Sequence, residues 1–298
     1  MKMAYLDTLD ATLATGARLM GEEFARRRAD YVRSKQNPDG GFSGRRGGSD
    51  VYYVDFALRT LTLLGHAGLP LSRAAKYLES LTATPRDIVE RFSRLHCSRM
   101  LTAAGIIVPA DTTHFAGRVA HAPADPYDAF LAALCCEILG AKPADTAAEA
   151  VSSALLGGAV SQTSTVAASV ALLTMKNALG AKETETAVGL LSRMQAPDGG
   201  FLAHKAAPEP DLLSTFTALT ALSGMRALDQ VRLSAAARFV RAMAAPDGGF
   251  RSCESDEETD VEYAYYGVGC TALLRHYAAK SGEAERSRNT STSFSSPA

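Results

Sequence analysis

No run of apolar residues in this chain approaches the roughly 18–20 needed to cross a bilayer, so no membrane-spanning helix is expected. The opening Met1-Lys-Met-Ala-Tyr-Leu-Asp7 brings in an acid early and does not read as a secretory signal. There is no basic block, and the formal net charge is −1, which argues against nucleic acid as a partner. Cysteines number five, at positions 97, 135, 136, 253 and 270. That count is odd, the spacing suggests no pairing, and adjacent Cys135 and Cys136 cannot form a CxxC metal knuckle. A reducing, cytoplasmic setting is the expectation. A glycine-rich nucleotide loop, a Gly-x-Ser-x-Gly elbow and a His-Glu-x-x-His pair are all missing, which removes the commonest nucleotide, serine-hydrolase and zinc-protease signatures. Strand-like alternation is rare, while apolar residues make up 47% of the chain and alanine is prominent. An almost wholly helical protein follows.

What is present is a repeat. Pro-Asp-Gly-Gly-Phe occurs at 38–42, 197–201 and 246–250, with the last two copies 49 residues apart. A chain that iterates one unit takes its fold from that unit. Each copy follows a segment with helical periodicity. Ala187, Leu190, Leu191 and Met194 share one face, as do Leu233, Ala237, Val240 and Met243, and Phe24, Tyr31 and Val32. Proline and two glycines then stop the helix, and the phenylalanine anchors the loop. About ten residues on, an aspartate opens a second, more apolar helix at Asp50, Asp211 and Asp260, where it serves as N-cap. The same opening recurs at Asp87 and Asp125, with Ser161 in the cap role of a further copy. Six helix pairs result, with room for an extra N-terminal helix over about 4–20. One domain over 1–280 is expected, and residues 281–298, rich in Ser, Thr, Arg and Glu, read as a disordered tail.

The stretches Gln36-Asn-Pro-Asp-Gly-Gly-Phe42 and Gln195-Ala-Pro-Asp-Gly-Gly-Phe201, each followed by an Asp-led apolar helix, resemble one superfamily. It comprises the protein prenyltransferase β-subunits and the squalene and terpene cyclases. Residues 29–65 look most like the Rab geranylgeranyltransferase β-subunit type. The terminal aromatic is Phe and the chain has no Trp, whereas the cyclases usually carry Trp in this loop. The resemblance implies an all-α fold, a six-fold α/α toroid barrel with the Asp-led helices inside. It also implies a cavity for an isoprenoid or other apolar small molecule, and allows a separate helical partner subunit.

The resemblance further implies a zinc site, with Asp and Cys at the first and third positions of the fifth inner helix and His at the fourth position of the sixth. Here these positions hold Asp211, Leu213 and Tyr263, so one ligand of three remains and the family's zinc-thiolate mechanism is not expected. Asp211 and Glu262 stand as a metal remnant that leaves Mg²⁺ as an alternative. Of the family's diphosphate contacts, Lys205 keeps the charge, while Pro208, Ser161, Tyr127 and Ser214 replace the others. Arg45 and Arg46 offer either another phosphate clamp or a solvated loop.

Two more patterns bear on chemistry. Acids gather in the first turns of the inner helices. For Asp50, Asp125, Asp211 and Asp260 capping explains them, whereas Asp55, Asp128 and Glu262 lie inside the helix and either pair structurally or face the cavity. As a class II cyclase acid, Asp128 or Asp260 is the candidate, each in half of an Asp-x-Asp-Asp pattern. Tyr53, Tyr127, Phe216, Tyr263 and Tyr266 read as core, or as the lining of a substrate cavity with Tyr263 as a donor. His96 and Cys97 are adjacent on a helix and point about 100° apart, which tells against a catalytic pair. Three functions remain: a prenyltransferase-β-like barrel holding a prenyl diphosphate, a class II terpene cyclase-like enzyme, and a non-catalytic lipid-binding or scaffold protein.

Overall fold

The computed structural model describes residues 5–66, 68–108, 126–141 and 181–292. Within them the chain forms ten α-helices, one short 3₁₀ turn at Leu228–Gln230 and a few isolated β-bridges, with no strand. The helices are α1 (Tyr5–Ala17), α2 (Glu22–Ser34), α3 (Val51–Leu63), α4 (Gly68–Ser80), α5 (Ile88–Ala103) and α6 (Pro126–Leu139), then α7 (Ala181–Arg193), α8 (Leu212–Gly224), α9 (Leu233–Ala242) and α10 (Val261–Thr292). The openings expected at Asp125 and Ser161 lie outside the described residues.

The capping aspartates start the helices as their spacing requires. Asp50 accepts from the Tyr52 amide at 2.9 Å, Asp87 from Glu90 at 2.8 Å, Asp211 from Ser214 at 2.7 Å and Asp260 from Tyr263 at 2.9 Å. Each bond satisfies an amide that the helix itself leaves free. The helices they open, α3, α5, α8 and α10, pack side by side in the order α8, α10, α3, α5, with α6 next to α5. Their partners α2, α4, α7 and α9 each contact the helix that follows them and form the outer layer. This is the toroid arrangement, inner helices ringed by outer ones.

Phe42, Phe201 and Phe250, the last residues of the three loop motifs, are fully buried. On α7 the expected face of Ala187, Leu190, Leu191 and Met194 is buried throughout. On α9 the buried face runs through Ala235, Ala236, Phe239, Val240 and Met243, and Leu233 and Ala237 stand at its edge. The buried face is centred on Ala236, Phe239, Val240 and Met243, which pack into the main core, while Leu233 meets that core only in part. At the other end α10 continues to Thr292. Adding residues to an existing helix costs little, and Glu-Ala-Glu-Arg is a good helix-forming run.

Helix α1 sits at the floor of the ring, against α10, α3 and α6. Glu137, near the end of α6, accepts from the amides of Tyr5 at 2.8 Å and Leu6 at 2.7 Å, capping α1 from a distance. Arg99, near the end of α5, reaches Asp7 at 2.6 Å and Asp10 at 3.2 Å. These partners place α1 across the C-terminal ends of the inner helices, opposite the capping aspartates.

Candidate active site and central cavity

The inner helices α3, α5, α6, α8 and α10, with α1, line a partly open cavity of about 410 Å³. Tyr5, Leu6 and Leu9 of α1 line it at one end. Its wall carries Tyr52 and Phe56 from α3, Phe92 from α5, Tyr127 and Phe130 from α6, Leu213 and Phe216 from α8, and Tyr265 and Tyr266 from α10. These rings pack edge-on or tilted. Phe56 lies 5.3 Å from Tyr266 and 5.7 Å from Tyr265, and Phe216 lies 5.4 Å from each. With Tyr5 of α1, six helices thus contribute aromatic side chains to one space, a surface suited to a hydrocarbon.

One polar cluster breaks that wall. Asp55 and Arg59, one turn apart on α3, form an ion pair with Nη2 and Oδ2 2.5 Å apart, and both line the cavity. His96 on α5 places Nδ1 2.7 Å from the other Asp55 oxygen. Asp55 and His96 are each only 2% exposed. The Arg59 guanidinium lies 5.2 to 5.4 Å from the ring centres of Phe56, Tyr265 and Phe92, so it takes up the faces of three rings. Burial alone would raise the Asp55 pKa, but the facing Arg59 charge and His96 hold it below the ordinary carboxylate value. Burial also depresses His96, more than Asp55 raises it. The sequence placed Asp55 among residues able to face the cavity. It gave no sign of Arg59 in that role, although the Asp55–Arg59 spacing of four is a helical ion-pair signal.

The N-terminal end of the ring is acidic but largely self-paired. Arg45 donates Nε to Asp260 at 3.0 Å and forms a double hydrogen bond with Asp256, and its guanidinium sits 5.6 Å from the Tyr263 ring. Arg46 is exposed beside Glu258. Of the two expected phosphate arginines, Arg45 is therefore bound into a carboxylate cluster and Arg46 faces solvent. Asp260 has its two oxygens taken by Arg45 and the Tyr263 amide. Glu262 accepts from the Tyr52 hydroxyl at 2.7 Å, and burial lifts its carboxyl to about 7 despite that bond. Asp211 is fully engaged with the Ser214 amide and hydroxyl, at 2.7 and 2.8 Å, and burial still raises its pKa.

Of the residues singled out from sequence, Tyr127, Phe216 and Tyr266 line the cavity. Asp260, Glu262 and Tyr263 share the N-terminal end of α10, with Tyr263 turned toward Arg45. Tyr53 packs edge-on to Tyr52 at 5.2 Å. Asp128 is half-buried in the first turn of α6, and Lys205 is exposed on the loop between α7 and α8. Leu213, in the place of the family's cysteine ligand, points into the cavity. Among the described residues no three His, Cys, Asp or Glu side chains come together as a metal site. Asp211, Leu213 and Tyr263 therefore do not fit zinc: the first is consumed by a cap, the second has no donor and the third packs against a cation.

A family model for the prenyltransferase alpha-alpha toroid domain matches residues 5–156 and 162–292. No curated protein matches the chain.

Proposed function

Because the chain belongs to the prenyltransferase alpha-alpha toroid family, we propose that its central cavity binds the hydrocarbon chain of an isoprenoid. The observation that carries this reading is the aromatic wall around about 410 Å³ of space, within the range of about 300–1,000 Å³ typical of small-molecule pockets. Burying a fifteen-carbon chain at about 0.8 kcal/mol per methylene gives on the order of 10 kcal/mol before the cost of association. At the low end of that cost, about 4 kcal/mol, roughly micromolar affinity remains.

The family's zinc-thiolate prenyl transfer is not part of the proposal, because the donor set lacks two ligands. A diphosphate head is also poorly served, with Lys205 in solvent and Arg45 held by Asp256 and Asp260. A second reading, cyclisation begun by a carboxylic acid, draws on Glu262, whose carboxyl titrates near 7 against the cavity-lining Tyr52. Arg59 opposes it. A fixed guanidinium already occupies ring faces that a carbocation would need.

Equilibrium dialysis with farnesol and geranylgeraniol tests the reading. Wild-type protein is expected to bind at micromolar concentration. Thr217→Trp, which places an indole in the cavity, is expected to weaken binding at least about tenfold while the fold persists by circular dichroism. Lys205→Glu is expected to leave binding unchanged. Absence of binding by the wild type, or equal binding by Thr217→Trp, would sink the proposal.

A further inference from the structure

The polar cluster in the cavity wall has more donors than acceptors. Nδ1 of His96 lies 2.7 Å from Asp55 and 3.1 Å from Nε of Arg59. A neutral ring cannot both donate to Asp55 and accept from Arg59 through one nitrogen. Nη1 of Arg99 lies 3.4 Å from Nε2. Since a guanidinium only donates, Nε2 is the acceptor, and Nδ1 carries the hydrogen and gives it to Asp55. Burial, which disfavours the charged imidazolium, agrees with this neutral form. Nε of Arg59 is thereby left without an acceptor at His96. Asp55 takes one of the five guanidinium hydrogens through Nη2 and the Tyr265 hydroxyl takes another, which leaves hydrogens to spare on a side chain that lines the cavity. The Arg59 side chain keeps 18% of its surface accessible, so these spare hydrogens face an apolar space large enough for a ligand, where a bound chain would strip them of water.

We propose that Arg59 anchors an uncharged acceptor oxygen, a hydroxyl or carbonyl, on the isoprenoid held in the cavity. This rests on the chain-binding reading above and narrows the ligand class to an oxygenated isoprenoid. The charge balance selects the oxygen. Arg59 and Asp55 cancel, and His96 is neutral, so the cluster has hydrogens to give but no net positive charge for a diphosphate. A bare hydrocarbon would leave the same donors unpaired. The three surrounding rings fix the guanidinium in its plane, so a hydrogen bond from it costs little further ordering.

The test compares three probes with one chain: farnesol, the oxygen-free farnesene, and farnesyl diphosphate. With wild-type protein, farnesol is expected to bind about tenfold or more tighter than farnesene, as a hydrogen bond to a charged donor implies. Farnesyl diphosphate is expected to bind no better than farnesol. Arg59→Met alone would leave Asp55 buried and unpaired, so the informative variant is the double substitution Asp55→Asn with Arg59→Met, in which the amide oxygen still receives the His96 hydrogen. There the advantage of farnesol is expected to fall to about onefold, with farnesene bound at least as tightly as by the wild type. A measurement on the wild type stands beside it: the infrared carbonyl stretch of bound farnesal is expected to move to lower frequency than in hydrocarbon solvent. Equal binding of farnesol and farnesene by the wild type, a preference surviving in a folded double variant, an unshifted carbonyl band or a preference for the diphosphate would each overturn the anchor alone. No binding of any probe would overturn the chain-binding reading, and the anchor with it.

Discussion

Burial lifts the Glu262 carboxyl to about 7, while the Tyr52 hydroxyl, donating at 2.7 Å, pulls the other way. The consequence is a pH-dependent stability whose sign is fixed. The folded state holds the proton up to about 7, whereas the unfolded chain releases it near the ordinary value of 4.5. Stability from this group is fully present below about 4.5 and is lost as pH rises through about 7. Glu262→Gln keeps an acceptor for Tyr52 without the charge. At pH 8 the variant is expected to be more stable than wild type by about 2–3 kcal/mol, and at pH 5 to match it within about 1 kcal/mol. Urea unfolding at both pH values measures this, and parallel pH curves for the two proteins would contradict it. At this scale the sequence was only partly readable. The capping aspartates follow from local spacing, whereas of the tyrosines read as core or cavity lining, Tyr127 and Tyr266 line the cavity and Tyr53 and Tyr263 do not. The Tyr52–Glu262 bond, the Arg45 cluster and the His96–Asp55 contact join residues 210, 215 and 41 positions apart, and no periodicity encodes such meetings.

The three Pro-Asp-Gly-Gly-Phe loops are joints between neighbouring units. In each, the aspartate accepts from the amide two residues on: Asp39 from Gly41 at 2.9 Å, Asp198 from Gly200 at 3.0 Å and Asp247 from Gly249 at 2.8 Å. Each loop then docks on the next outer helix. Arg73 of α4 donates to Asn37, and Arg232, which precedes α9, donates to Ala196 at 2.8 and 2.7 Å respectively. Arg27 of α2 does the same for Pro246. At Gly199 the backbone is left-handed, with φ +106°, and an added Cβ would lie 2.1 Å from the backbone of Ala235. Both the conformation and the space exclude a side chain. Gly199→Ala is therefore expected to cost more than about 2 kcal/mol. Gly47→Ala, at φ +93° but with nothing within 4 Å, is expected to cost about 1 kcal/mol. Thermal unfolding of the two variants separates the contributions, and equal losses would show that the joint is not tight. The loop motif and its helices were legible because caps, helix stops and apolar periodicity are all local. The face of α9 was displaced because Phe239 packs into the core from a side that the Leu233, Ala237 and Val240 spacing leaves out.

For the whole molecule, the contact of the Pro246 loop with Arg27 ties the last unit back to the first outer helix, and α10 packs on α3. The ring thus joins its C-terminal unit to its N-terminal one, and α1 lies across one end of the space inside. That closure bounds the cavity, which the six helix pairs together with the family resemblance led one to expect. The chemistry inside could not be anticipated, because it depends on which side chains of six helices face one another. The proposed function rests on that interior accepting an isoprenoid chain. The most direct test is photolabelling with a diazirine-bearing farnesol analogue, followed by mapping of the modified residues by mass spectrometry. The account predicts saturable labelling, displaced by unmodified farnesol, at cavity residues such as Phe216, Tyr266, Tyr127 and Leu9. Labelling confined to exposed residues, or labelling that farnesol does not displace, would contradict it.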